Sequence, residues 1–64
     1  MIAVYDIMQE LAIEKFYRAE SVLKLVWGAE KLHDMGLTRP EAISFACALF
    51  RAGQLEEFNK LHEI

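Results

Sequence analysis

One cysteine, one proline and three glycines are all that this 64-residue chain has of those residue types. A lone Cys47 excludes an internal disulfide, and His33 and His62 lack the spacing of metal ligands. Gly and Pro this sparse exclude a collagen-like repeat or a low-complexity linker. A basic arm is missing too. Four basic residues oppose six acidic ones through Met35, and three oppose four from Gly36 onward, for a net charge of −3. Duplex DNA is bound largely by neutralising phosphates. Lys15, Arg18, Lys24, Lys31, Arg39, Arg51 and Lys60 are scattered among acids, so nucleic acid is a disfavoured partner. Long hydrophobic runs are absent as well. The longest uncharged stretch, Ala42 to Phe50, falls far short of the ~20 residues of a membrane span. Residues 1–13 carry Asp6 and Glu10 and no basic lead, unlike a secretory signal. These absences point to a soluble protein of the reducing cytoplasm, with no membrane partner.

What the chain does have is apolar surface at helical spacing. At 55% apolar and 27% charged it reads as one folded domain over residues 1–64. A domain this small buries only about 60% of the surface its unfolded chain exposes. Disulfides, metals or self-association commonly make up the deficit. With the first two lacking, self-association is the device left.

From Ile2 to Met35 there is no Pro, and Gly28 is the sole Gly. On a helical wheel Asp6, Glu10, Glu14, Arg18, Ser21 and Lys24 share a polar side. Tyr5, Met8, Ala12, Phe16, Ala19, Leu23 and Val26 recur at steps of three and four, and Val4, Leu11, Val22, Ile2, Ile13 and Trp27 widen that stripe. The apolar arc covers about half the circumference, wider than the ~100° stripe of a surface helix. The pattern predicts one long helix to about His33, continuous or gently kinked near Trp27-Gly28. Such a helix would run about 50 Å, longer than a compact chain of this length is wide.

Gly36 suits the left-handed position that ends a helix. Thr38-Arg39-Pro40-Glu41 then reads as a capping box, with Pro40 in the first turn where its missing N–H costs nothing. A second helix from about Arg39 to Ala52 is apolar nearly all round. Gly53 ends it, and a short third helix carries Leu55, Phe58, Leu61 and Ile64. Met35-Gly36-Leu37 followed by Thr38 to Ile43 resembles the first loop and second-helix start of ubiquitin-associated domains. The resemblance covers about nine residues. It stops there: Phe45 to Phe50 is more apolar than that family's second helix, and no function carries over.

The expected fold is all-α. A long helix turns back into an antiparallel second helix, and a short C-terminal helix closes one end. One hairpin leaves the second helix under-covered, whereas two hairpins about a two-fold axis would bury it in a helical bundle.

No reactive constellation rises above a structural reading. His33 and Asp34 are adjacent, so on a helix they point about 100° apart. Glu30 and His33 form a single i,i+3 pair without inward carboxylates elsewhere, too little for a metal site. Cys47 lies between Ala46 and Ala48 and reads as a buried inert thiol. No catalytic residue, metal or cofactor is expected. A helix-turn-helix reading would make the third helix a DNA reader, but Glu56, Glu57 and Glu63 there would repel phosphates.

The function expected is therefore non-catalytic: a small regulator, an inhibitor or adaptor that occludes the surface of an unidentified protein and also pairs with itself. The candidate interface residues are Phe16, Tyr17, Ala19, Leu23, Val26 and Trp27 on the first helix and Phe45, Ala46, Leu49 and Phe50 on the second. The alternatives are a nucleic-acid-binding transcriptional regulator and a structural subunit of a larger assembly.

Overall fold

In a computed structural model that describes residues 2–11 and 18–62, the chain forms four α-helices and, among the described residues, no strand: α1 Val4–Glu10, α2 Ala19–Asp34, α3 Arg39–Arg51 and α4 Leu55–Leu61. The single long first helix is therefore corrected. α1 ends at Leu11, whose ψ of 12° leaves the helix, and α2 starts afresh after Arg18, which is extended at ψ 150°. Gly28 is no break; α2 runs through it. The reason is tertiary. The longest dimension of the molecule is 28 Å, about half of what one helix from Ile2 to His33 would need. By folding back, α1 lays Ile2, Ile7 and Leu11 against α2 and α3.

The turns are local chemistry. Gly36, at φ 114°, ends α2 in a complete Schellman motif: Leu37 N–H donates to the Leu32 carbonyl at 3.2 Å and Gly36 N–H to His33 at 3.0 Å. Thr38 and Glu41 then exchange hydrogen bonds across the first turn of α3, Glu41 N–H to Thr38 Oγ1 at 3.3 Å and Thr38 N–H to Glu41 Oε1 at 3.0 Å. The same exit recurs at Gly53, φ 73°, with Gln54 N–H donating to Leu49 at 2.8 Å.

α2 and α3 form an antiparallel hairpin, and the core lies between them. Leu25, Ala29, Ala42, Ala46 and Cys47 are wholly buried, with Ile7 inserted from α1. The radius of gyration, 10.4 Å, matches the roughly 10.7 Å of a compact chain of this length. A single copy thus closes its own core, and α1 supplies the cover that the sequence pattern assigned to a second hairpin.

α4 crosses α2 at Gly28. Asn59, 6% exposed, donates from Nδ2 to the Lys24 carbonyl at 3.3 Å. Its Oδ1, buried and without a hydrogen-bond partner, lies 3.2 Å from where a Gly28 side chain would begin. The expected stripe on α4 is also revised, since Leu61 is 79% exposed whereas Leu55 is buried. Steps of three drift about 60° each on an α-helix, so Leu61 sits about 120° from Leu55 and Asn59 takes its place.

A Cβ on Gly28 would stand 2.9 Å from Leu55 Cδ1. Helix propensity favours Gly28→Ala by about 1 kcal/mol, but overpacking costs about 1–3 kcal/mol. We expect a net loss of roughly 1 kcal/mol, read as a lower urea midpoint, where propensity alone gives a gain.

Candidate functional site

The chain buries a core and still leaves large apolar side chains in water. Leu23 (44% exposed) and Trp27 (47%) stand one turn apart on the outer side of α2. Ala19, also exposed, extends them into an i, i+4, i+8 row. Val26 flanks the row and is half-buried against the core. Leu23 and Trp27 stay out because α2 faces the core with Val22, Leu25, Ala29 and Leu32, about half a turn away.

A second surface, mixed polar and apolar, lies between α1 and α3. An open groove of about 630 Å³ is lined by Tyr5, Asp6, Gln9, Glu10, Arg39, Pro40, Ile43 and Ser44. Ser44 also borders a shallow depression formed with Leu37, Glu41 and Phe45. Phe45 is 49% exposed. Two hydrogen bonds set the α1 wall: Arg39 donates to Asp6 Oδ2 at 2.8 Å, and Gln9 Nε2 donates to the Tyr5 hydroxyl at 2.6 Å.

The expected interface residues divide accordingly. Ala19, Leu23 and Trp27 are together on one exposed face, and Phe45 is exposed on another. Val26, Leu49 and Phe50 are partly buried against the core. Ala46 is not at a surface at all: it is wholly buried within the single chain, because α3 turns this side toward α2. Phe16 and Tyr17 lie outside the described residues. Tyr5, Met8 and Pro40 are exposed residues that sequence reasoning did not place at an interface, and Ile43, partly buried against the core, lines the groove with Tyr5 and Pro40. Tyr5 and Met8 were assigned to the core stripe of a long helix, yet they are 69% and 52% exposed. Once α1 is a separate helix, its inward side is Ile7 and Leu11.

The polar residues serve the fold. Glu30 Oε2 accepts from the Ile2 backbone N–H at 2.8 Å, and the His33 ring donates from Nδ1 to the Leu37 carbonyl at 2.9 Å. The i,i+3 pair is thus engaged in opposite directions, one holding the N-terminal segment and the other the α2–α3 turn. No group of three or more His, Cys, Asp or Glu side chains among the described residues converges on a common point. Cys47 is buried at the centre of α3. Among the described residues, no helix is long and apolar enough to cross a membrane.

Two carboxylates are held below the usual glutamate range. Glu41 is lowered mainly by the Thr38 backbone N–H, and Glu56 by the Lys24 ammonium 3.0 Å away. That ammonium is raised in return by the Glu56 hydrogen bond. A carboxylate depressed on folding stabilises above its unfolded pKa, and the effect is lost as pH falls through the folded one. Glu41→Gln keeps a side chain that completes the capping box but cannot titrate. A series of thermal melts from about pH 6 to about pH 2 should show a shallower acid decline for that variant. Lys24 works in the reverse sense: its contribution holds below the unfolded lysine value and fades as pH rises past it.

The chain matches no protein-family model, and neither the curated proteins nor the solved structures contain a match to it.

Proposed function

We propose that this chain is a small non-catalytic protein that acts by contact with other polypeptides, as an inhibitor or adaptor occluding a partner's surface, and that it pairs with itself through the outer face of α2. One observation carries the reading. After a closed core has formed, Leu23 and Trp27 remain nearly half-exposed on one face, and Trp is among the residues that dominate binding energy at interfaces. Ala19 at the end of the row lets a second helix approach closely. Glu20 and Lys31 flank the row at its two ends. An antiparallel second copy would set each against its opposite charge, so the face complements itself.

Trp27 is the only tryptophan, so its fluorescence reports directly on this face. On dilution from micromolar to nanomolar concentration the emission should move to the red and acrylamide quenching should rise. Emission of a water-exposed indole that stays the same at every concentration contradicts the pairing.

A further inference from the structure

The outer face of α2 also carries a register. Glu20, Lys24, Trp27 and Lys31 follow one another at steps of four, three and four, a stripe that meets the Ala19–Leu23 row at Trp27. Lys24 and Trp27 border one notch, together with Glu56, Asn59 and Lys60 of α4. Glu56 Oε2 holds the Lys24 ammonium at 3.0 Å, and the Lys24 side chain is still 40% exposed. At the ends of the stripe the charges are open to a partner. Glu20 has only a loose, exposed contact with Arg18 at 4.0 Å, and Lys31 makes no ion pair among the described residues.

In an antiparallel pair, each residue near one end of α2 meets one near the other end. With Glu20 set against Lys31, stepping four residues inward from both brings Lys24 against Trp27. The two-fold axis repeats the contact, so Trp27 of each copy meets Lys24 of the other. Among aromatic side chains, Trp attracts an ammonium over its face most strongly. Because Glu56 already orders Lys24, less side-chain freedom is lost on pairing. Other registers sacrifice this match. Sliding the copies until Trp27 meets Trp27 brings Glu20 against Asp34, both exposed and of like charge. Sliding them until Trp27 meets Leu23 sets Lys31 against Ala19 and takes Glu20 out of line with it.

We infer that Lys24 is the seat for Trp27 of a second copy, so that two reciprocal cation–π contacts, with Glu20–Lys31 ion pairs beyond them, fix the register in which the chain pairs. The inference rests on the pairing proposed above and names the contact within it.

The test is an equal mixture of isotopically labelled and unlabelled full chains, with nuclear Overhauser contacts recorded only between a labelled and an unlabelled chain. Contacts from the Trp27 indole to the Lys24 methylenes of the other copy are expected. Lys24→Gln should weaken pairing about tenfold in sedimentation. Glu56→Gln, which removes the ion pair but keeps the ammonium, should weaken it less than about threefold. Glu20→Lys should weaken pairing, and adding Lys31→Glu to that chain should restore it. Interchain contacts from Trp27 to Leu23 or to Trp27, or pairing indifferent to Lys24→Gln, overturn the inference and leave pairing through α2 standing. A chain that stays single at every concentration, or one that pairs with no interchain contact at Trp27, overturns both.

Discussion

Ala46→Glu is expected to abolish cooperative folding. Ala46 is wholly buried between α3 and α2, and no cation among the core residues could meet the new carboxylate. An unpaired buried charge costs about 3–5 kcal/mol, and a core of this size supplies roughly 3–5 kcal/mol in all. Far-UV circular dichroism should therefore show lost helix and no sharp melt. Ala48→Glu is the control. Ala48 is exposed two residues along the same helix, so the same charge there should change stability by no more than about 0.5 kcal/mol. Were Ala46→Glu to fold normally and lose only self-association, Ala46 would belong to an interface between copies and α3 would be packed otherwise than described.

Ile7→Ala carries the second large effect. Ile7 is wholly buried although it sits on a helix of seven residues. An isolated helix of that length is unstable in water, so α1 is helical because Ile2, Ile7 and Leu11 are packed against the hairpin. Truncating Ile7 should cost about 2–5 kcal/mol, the transfer term plus the cavity left behind. Met8→Ala, one residue on and 52% exposed, should cost no more than about 0.5 kcal/mol. The contrast is read from chemical denaturation of the two variants. Equal, small effects would mean that α1 does not close the core.

These two side chains also mark where sequence reasoning succeeds and where it stops. The α2–α3 turn was legible because its determinants are local. Gly36, Thr38, Pro40 and Glu41 each suit only a few backbone positions, and together they specify a helix end followed at once by a helix start. The end of α1 at Leu11 was not legible. No Gly or Pro lies between Ile2 and Trp27, and the cause is burial of Ile2, Ile7 and Leu11 on a helix distant in sequence. Placing all those residues on one wheel put Tyr5 and Met8 in the core and left α3 short of cover. Ala46 was assigned to an interface for the same reason. Gly28 was legible as a special position but not as a notch for Leu55 and Asn59, because that role depends on where α4 crosses.

Leu23, Trp27 and Phe45 were named as contact residues and are exposed. The groove at Tyr5 and Ile43 exists only because α1 folds back, and no helical wheel contains that information.

Sedimentation equilibrium of the wild-type chain at low micromolar concentration is the most direct test of the claim that the leftover apolar surface serves contact between polypeptides. Twice the 7.4 kDa mass of one chain is expected, falling to the single-chain mass when Leu23 and Trp27 are both replaced by Asp with the helical spectrum intact. A wild-type chain that sediments at 7.4 kDa at every concentration tested contradicts it.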